Sequence, residues 1–263
     1  MSPEGIFIDA HCHLADVRLD LIRDQVLLRA RQAGIGLFIQ GGVDPEDWER
    51  QCQLGSPDWL YAFGLHPWWV ARQDKASCLE ALERLEAALP RAFALGELGL
   101  DFFPRFPEES FELQREMFRL QLEMARKHQK PLVLHLVRCH GEAPGMIRKA
   151  GAFKGLVHGF TGSFEVARQY LDLGLLISVG PAVTRPGFKK LKHAVAKIPA
   201  DRLVIESEAP DGAPAGFPYE MNEPSSIFLI AKAVAELRGV STAKVMDVSR
   251  DNLIDYFGFP DPR

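Results

Sequence analysis

Short apolar segments rich in β-branched and aromatic residues recur along the chain, and longer segments with helical periodicity separate them. Segments of this length and composition are typical of buried strands, whereas leucines three or four positions apart mark one face of a helix. The pattern predicts eight strands, at residues 6–10, 36–40, 60–64, 92–96, 132–136, 155–158, 175–179 and 203–206. It predicts helices at residues 18–33, from Asp44 and Pro45 onward, and at 77–89, 107–128, 224–237 and 242–256.

The regular alternation of strand and helix, without an obvious linker, predicts an α/β fold. We expect a closed (β/α)₈ TIM barrel in which residues 1–263 form a single domain. A doubly wound open sheet is the alternative. No Gly-x-Gly-x-x-Gly follows the first strand, so we expect no dinucleotide site and no nucleotide cofactor.

Composition is consistent with one large globular domain and narrows the possible partners. The 263 residues are 47% hydrophobic and 25% charged, with 31 basic and 35 acidic side chains and a net charge of −4. A nucleic-acid-binding domain that relies on a broad positive field would have the opposite balance. Contact with a polyanion would therefore be local or depend on metal ions.

The four cysteines are scattered and form no Cys-x-x-Cys pair, as expected of a reduced protein without a disulfide framework. We find no basic-then-apolar leader and no apolar segment of membrane-spanning length. These features predict a soluble, cytoplasmic protein without a membrane partner. The oligomeric state stays open, with a monomer plausible.

Polar side chains gather where the predicted strands end, which is where TIM barrels carry their working groups. Five of the eight histidines directly follow apolar strands, namely His11, His13, His66, His135 and His158. Carboxylates follow two further strands, namely Glu97 and the pair Glu206 and Glu208. His11 and His13 stand two residues apart, so an extended chain can aim both imidazoles at one point.

Such a cluster, if buried without a cation, would leave many polar groups unsatisfied. Histidines on one face suit zinc, and also manganese or iron. One tetrahedral ion with an open position uses three protein ligands, whereas about six ligands with a bridging carboxylate fit two ions roughly 3.5–4 Å apart. The sequence therefore predicts a metal-dependent hydrolase acting on a phosphoester or an amide-type bond.

An ordered set of motifs resembles the TatD-type metal-dependent deoxyribonucleases, a branch of the amidohydrolase-like TIM barrels. The similarity runs nearly end to end, and the subgroup that it resembles has Ala-Pro-Asp after the last strand. The motifs are Asp9-Ala-His-Cys-His-Leu14, Gly64-Leu-His-Pro67, Gly96-Glu-Leu-Gly-Leu-Asp101, Pro131 to His135, His158-Gly-Phe-Thr-Gly162, Gly180-Pro181, Glu206-Ser-Glu-Ala-Pro210, Ala209-Pro-Asp211, Gly216-Phe217, and Asn252 followed by Phe257.

The resemblance implies two divalent metal ions (Zn, Mn or Mg) and a DNA substrate, with cleavage possible from a 3′ end. His11 and His13 would hold the first ion, Glu97 would bridge, and His135 and His158 would hold the second. The carboxylate after the eighth strand, Glu208, would join the first ion and orient or deprotonate the attacking water. His66 would face the scissile phosphate.

Two departures from the family pattern affect these implied roles. The usual Glu-Thr-Asp is Glu206-Ser207-Glu208 here, so the last carboxylate carries one extra methylene. A misplacement of ~1 Å can lower a rate ~10²-fold. Where the family commonly has His-x-Arg, Val137 takes the arginine's place, and either Arg138 or His140 could contact phosphate instead.

Several functions stay open at this point. The leading hypothesis is phosphodiester hydrolysis in DNA. The first alternative is an amidohydrolase-like enzyme acting on a small amide, lactone, ester or aminoacyl substrate. In such enzymes a lysine commonly bridges the two metal ions, whereas Glu97 takes that position here. The second is a metal-binding, catalytically weakened interaction protein. The aromatic pairs Trp68-Trp69 and Phe102-Phe103 either stack on bases or pack within loops.

Overall fold

The computed structural model describes residues 6–259, and its one sheet contains eight parallel strands in the order β1 to β8. The strands are β1 Phe7–Cys12, β2 Ile35–Gly42, β3 Trp59–Phe63, β4 Ala94–Asp101, β5 Leu132–Val137, β6 Gly155–Val157, β7 Leu176–Val179 and β8 Leu203–Ile205. The helices are α1 Arg23–Gln32, α2 Pro45–Leu54, α3 Pro67–Val70, α4 Lys75–Ala88, α5 Ser110–Lys127, α6 Ala143–Ala150, α7 Phe164–Leu171, α8 Lys189–Lys197, α9 Ile227–Arg238 and α10 Thr242–Phe257. The predicted (β/α)₈ barrel is confirmed.

The barrel interior is an apolar layer to which every strand contributes. Its buried members are Ile8, Ala10, Ile39, Ala62, Ala94, Val133, Leu156, Leu176 and Val204, with Leu253 of α10. On β5, β6 and β8 the polar side chain two residues further along points into the same interior, because alternate side chains share one face. His135, His158 and Glu206 therefore lie above this apolar layer, at the carboxyl end of the barrel.

On β1 and β4, simple alternation does not explain the site. Ile8 and Ala10 fill the interior, so alternation alone would direct His11 outward. The pairing register shifts between Asp9 and Cys12 on β1, and between Gly96 and Leu98 on β4. Irregularities of this kind re-aim side chains. As a result, His11 and Glu97 both face the barrel end.

The first and last strands meet at the carboxyl end of the barrel. The backbone N–H of His13 donates to the carbonyl of Ala209 at 2.7 Å, and the N–H of Glu208 donates to the carbonyl of His11 at 3.1 Å. Two segments with candidate metal ligands are therefore joined directly by main-chain hydrogen bonds.

Several boundaries differ from the sequence prediction. The segment predicted as a helix over residues 18–33 is a 3₁₀ turn at Val17–Leu19 followed by α1. Asp16 caps the start of this turn, because its carboxylate accepts from both the backbone and the guanidinium of Arg18. Helix α2 begins as predicted, with Asp44 as N-cap and Pro45 at its first position. Helices α3, α6, α7 and α8 were not predicted.

The fourth strand runs to Asp101 rather than ending at Gly96, so Glu97 lies within it. Among residues 6–259, no helix combines the length and the apolar character needed to cross a membrane.

Candidate metal centre

The structure brings seven of the predicted site residues together at the carboxyl end of the barrel. They come from six strands or from the residues that follow those strands, namely His11, His13, His66, Glu97, His135, His158 and Glu208. His11 is fully buried, and Glu97 is 2% exposed. Three overlapping groups among them have ligand atoms within 4.8 Å of one another.

Glu97 lies at the centre and divides four histidines into two pairs. Its Oε1 lies 2.7 Å from Nε2 of His158 and 2.9 Å from Nδ1 of His135. Its Oε2 faces the other pair, at 3.2 Å from Nε2 of His11 and 3.4 Å from Nε2 of His13. One carboxylate therefore presents a separate oxygen to each pair of imidazoles.

Two of these imidazoles are oriented by an acceptor on the side away from Glu97. Nδ1 of His13 lies 2.9 Å from the carbonyl of Gly41, which only accepts, so this nitrogen carries the proton. Nε2 of His135 lies 3.4 Å from Oδ2 of Asp101. In both rings the nitrogen facing Glu97 is left with a lone pair, the arrangement found in metal-ligating histidines.

His66 has the opposite tautomer. Its Nδ1 accepts the backbone N–H of Trp68 at 2.9 Å, so the proton of the neutral ring is on Nε2. Nε2 lies 3.0 Å from Oε1 of Glu97. His66 therefore presents an N–H donor beside the bridging carboxylate, which suits contact with a substrate oxygen better than metal ligation.

Glu208 follows β8 in a left-handed backbone conformation, with φ of 63°. Such a conformation in a residue other than glycine is uncommon and is found at functional sites. Its Oε2 lies 3.4 Å from Nδ1 of His158. The side chain thus reaches the cluster, and its closest recorded contact is with His158.

The protonation states of the cluster are mixed, because burial acts to lower the pKa of His13, His135 and His158 but neighbouring carboxylates raise the pKa of all three. Burial lowers the pKa of His11 and of His66 to about 4, which keeps both rings neutral at physiological pH. Burial acts to raise the pKa of Glu97, but the surrounding histidines hold it well below its usual range. Burial likewise opposes ionisation of Glu208, while His158 and the other nearby histidines lower its pKa to about 2. Neutral imidazoles and ionised carboxylates are the forms that bind metal.

Five buried side-chain polar atoms in the described residues lack a hydrogen-bond partner, and two of them belong to the cluster, namely Nδ1 of His11 and Oε2 of Glu97. Nε2 atoms of His11 and His13 are 3.2 Å apart, and Nδ1 of His135 is 3.0 Å from Nε2 of His158. Bonds of ~2.0–2.1 Å to a tetrahedral ion place ligand atoms roughly 3.3 Å apart. The residues therefore fit a divalent metal centre.

Asp9 ties the two ends of the barrel sheet together beneath the cluster. Its Oδ1 accepts the N–H of Ser207 at 2.9 Å and that of His11 at 3.3 Å, and its Oδ2 accepts the Ser207 hydroxyl at 2.5 Å. Asn222 donates to the Ser207 carbonyl at 2.5 Å. Burial raises the pKa of Asp9 to about 7. Asp9 thus supports both the His11 and the Glu208 segments.

Glu206 has a different environment from Glu208. Its Oε2 accepts the hydroxyl of Ser178 and its Oε1 accepts the N–H of Gly159, both at 2.5 Å. Burial raises the pKa of Glu206 to about 8. These contacts brace the loop after β6, which carries His158.

The two candidate phosphate contacts lie apart from the cluster. Arg138 is exposed, with its guanidinium carbon 4.8 Å from the ring centroid of Phe103. Nδ1 of His140 lies 2.7 Å from the hydroxyl of Tyr170, a fully buried residue of α7. Burial lowers the pKa of His140. His140 is thus directed toward a helix, and Arg138 toward the rim.

Two cavities adjoin the cluster. One has a volume of about 250 Å³ and includes His158, Phe160 and Arg185 in its lining. The other has a volume of about 620 Å³ and is lined by His13, His66 and Glu97, among others. Trp68, His135 and Glu208 line both. The candidate centre is therefore open to solutes on two sides.

Asp101 is a candidate functional residue to which the sequence analysis assigned no role. It is buried at the end of β4 and contacts His135, the indole N–H of Trp68 and the N–H of Phe103. The signal was the spacing Glu97-x-Gly99-x-Asp101, since residues two apart on a strand share a face. This spacing is informative only if β4 extends to Asp101, whereas the sequence prediction ended that strand at Gly96.

Comparisons with known proteins identify the family that the chain resembles. The family described as TatD related DNase matches residues 8–258. The chain is 31% identical over 257 residues to the uncharacterized metal-dependent hydrolase YjjV of Escherichia coli K12, covering 97% of this chain and 98% of that protein. It is 29% identical to the human deoxyribonuclease TATDN3, covering 98% of this chain and 97% of the relative.

Solved structures give the same result for the fold. The crystal structure of the TatD homolog YjjV from Escherichia coli superposes with a TM-score of 0.87 at 30% identity, covering 97% of this chain and 98% of that one. A TatD-family hydrolase from Entamoeba histolytica superposes with a TM-score of 0.82 at 23% identity, covering 97% and 99%, which supports the fold alone.

Proposed function

The chain belongs to the TatD-related DNase family of metal-dependent hydrolases, and on this premise we propose that it hydrolyses phosphodiester bonds in DNA with two divalent metal ions. The observation that carries the proposal is the position of Glu97, which directs one carboxylate oxygen at His11 and His13 and the other at His135 and His158. A carboxylate between two imidazole pairs is suited to bridging two ions.

In this proposal His11, His13 and Glu97 would hold the first ion, with Glu208 beside them, and Glu97, His135 and His158 would hold the second. Bound divalent ions would supply positive charge that polarises the phosphoryl group and lowers the pKa of the attacking water. Zinc, manganese and magnesium all suit a mixed set of imidazole and carboxylate ligands to different degrees.

The remaining groups orient the reactants. The ionised carboxylate of Glu208 accepts a hydrogen bond from the attacking water and fixes its direction. The Nε2–H of His66 donates to an oxygen of the scissile phosphate, a role supported by its tautomer. Hydrogen-bond donors aimed at developing negative charge in a buried site are an efficient way to lower a barrier.

The substrate contacts expected outside the centre are local. With a net charge of −4, the protein has no broad positive field, so arginines at the rim must provide the contacts to the DNA backbone. A strand end needs few such contacts, and trimming from a 3′ end is the form of the reaction that we propose.

The test is a cleavage assay on single-stranded DNA labelled separately at its 5′ and 3′ ends, with the metal-depleted protein reconstituted with Zn²⁺, Mn²⁺ or Mg²⁺. Glu97→Gln is the loss-of-function variant, because it keeps the shape of the side chain and removes its charge. The matched control is Glu86→Gln, a surface carboxylate paired with Lys127 and His128 on the helical layer.

The proposal expects metal-dependent shortening of the DNA by wild type and Glu86→Gln, with loss of at least ~10²-fold in Glu97→Gln. Loss of the 3′ label first would identify the direction. If wild type binds metal and hydrolyses small esters, amides or lactones but no DNA, the amidohydrolase alternative holds. If it binds metal and hydrolyses nothing in the panel, the catalytically weakened protein is the better account.

A further inference from the structure

Aromatic and arginine side chains from three segments stack at the rim of the barrel beside the metal centre. The guanidinium carbon of Arg105 lies 4.1 Å from the ring centroid of Trp68 and 5.5 Å from that of Phe103, and Arg138 lies 4.8 Å from Phe103. We refer to Trp68, Phe103, Arg105 and Arg138 as the rim platform. Alternating guanidinium and aromatic planes offer the surfaces on which unpaired bases stack.

The aromatic members of the rim platform are unusually exposed. Phe103 is 42% exposed and Trp68 is 37% exposed, and among residues 6–259 the other strongly exposed aromatic side chain is Tyr219. An exposed aromatic ring beside a catalytic cleft has apolar area that a ligand can cover. Trp68 also lines both cavities at the metal centre, so the rim platform begins where the substrate must enter.

Both arginines are exposed to solvent, and one of them also contacts a carboxylate. Within the described chain Arg138 has no ion-pair partner, and its contact is with Phe103. The nearest carboxylate to Arg105 is Asp101, at 3.6 Å, and that carboxylate also accepts from Trp68 and faces His135. By contrast, Arg18, on the opposite side of the centre, forms two ion pairs, with Asp16 and Asp211.

The charge around the larger cavity is correspondingly uneven. Four aspartates and Arg18 line it, and Arg18 pairs with Asp16 and Asp211, which leaves Asp44 and Asp47 without an arginine partner among the described residues; Arg72 and Arg105 also belong to the lining. A phosphate chain that leaves the metal centre therefore meets repulsion from Asp44 and Asp47 after β2 and attraction toward the arginines in the loops after β3, β4 and β5. The charges around the larger cavity therefore favour a path for the DNA backbone toward the loops after β3, β4 and β5.

We propose that the rim platform binds single-stranded DNA next to the scissile phosphate, with a base stacked on Phe103 and backbone phosphates paired with Arg105 and Arg138. The inference rests on the proposed nuclease function and adds the form of the substrate. Bases paired within a duplex do not present their faces to a protein side chain, so the rim platform selects unpaired strands.

The test compares two oligonucleotides of equal length, one natural and one in which stable abasic residues replace the bases. Phe103→Leu removes the ring and keeps an apolar side chain, whereas Arg138→Gln removes only a charge. The matched controls are Leu79→Ala, at 41% exposure on α4, and Arg84→Gln, at 46% exposure on the same helix. Thermal melting checks that each variant is folded.

Stacking on one aromatic ring changes base affinity by roughly fivefold to a hundredfold. Phe103→Leu should therefore raise KM for the natural strand about tenfold with little change in kcat, and should leave KM for the abasic strand unchanged. Arg138→Gln should raise KM for both strands, and the controls should match wild type.

If wild type cuts the natural strand and Phe103→Leu has the wild-type KM, the rim platform is rejected while the nuclease function stands. If Phe103→Leu raises KM equally for the natural and the abasic strand, base stacking is rejected. If wild type cuts no DNA with any of the three metals, the function and the rim platform fall together.

Discussion

Oδ2 of Asp101 lies 3.4 Å from Nε2 of His135, while Nδ1 of the same ring lies 2.9 Å from Oε1 of Glu97. The carboxylate thus fixes the ring so that its other nitrogen faces the candidate metal centre. Acceptors in this position raise the basicity of the ligating nitrogen, and their loss typically weakens metal binding by about 10- to 100-fold.

We therefore expect Asp101→Asn to weaken binding of one of the two ions by about tenfold or more, because an amide is a poorer acceptor than a carboxylate. A metal-binding isotherm with a competing chelator measures this directly. Asp58→Asn, which removes a carboxylate from a surface ion pair with Arg31, is the control. An isotherm of Asp101→Asn that overlays wild type would show that Asp101 does not act through His135.

Gly41 leaves room for the first pair of histidines. A Cβ at this position would lie 2.7 Å from Cε1 of His13 and 2.9 Å from Nε2 of His11, closer than side chains tolerate. Gly41→Ala should therefore displace both imidazoles and abolish tight binding at the first position, with activity lowered at least ~10²-fold.

Gly145→Ala is the matched control, because nothing lies within 4 Å of its added Cβ and the position is inside α6. This substitution should leave activity unchanged and stabilise the protein by about 0.5–1 kcal/mol. Both variants are compared by metal content and by melting temperature. Full metal occupancy in Gly41→Ala would contradict the placement of His11 and His13 as paired ligands.

Two substitutions of Glu208 separate the effect of its charge from the effect of its side-chain length. Glu208→Gln keeps the length and should lower kcat at least ~10²-fold, since a neutral amide orients water and binds cations poorly. Glu208→Asp keeps the charge but withdraws it from His158, so its kcat should lie between wild type and Glu208→Gln. A wild-type kcat in Glu208→Gln would remove this residue from the proposed mechanism.

Removal of metal should destabilise the fold, because the cluster buries polar atoms that lack partners in the described residues. A ligand present at ~1,000 times its Kd stabilises the native state by about 4 kcal/mol. For a chain of this size that corresponds to a shift of roughly 10 °C in melting temperature. Calorimetry with a chelator, and with the same chelator already saturated with metal, measures the difference. Equal melting temperatures would indicate that the cluster is stable without a cation.

The sequence predicted the barrel because the alternation of strands and helices follows from periodicity along the chain, whereas the roles of the candidate metal ligands were implied by the family resemblance. Strand-end positions of His135 and His158 are simple consequences of alternation above Val133 and Leu156. His66 was correctly placed beside the cluster, and its tautomer became clear only from the backbone N–H of Trp68.

What could not be predicted depends on local irregularity and on contacts between distant segments. The register shifts that turn His11 and Glu97 inward have no signature in the hydrophobic pattern. The contact of Asp101 with His135 joins residues 34 positions apart, and that of Asp9 with Ser207 joins residues 198 apart. The direction of His140 toward Tyr170 likewise depended on where α7 packs.

The most direct test of the central claim is a titration of the metal-depleted protein with Mn²⁺, followed by electron paramagnetic resonance. The account predicts that wild type takes up two ions per chain and shows the spectrum of an exchange-coupled pair, because the carboxylate of Glu97 joins them. Glu97→Gln should lose the coupled spectrum even where some Mn²⁺ still binds. Uptake of a single ion, or of two ions without coupling in wild type, would contradict a centre bridged by Glu97.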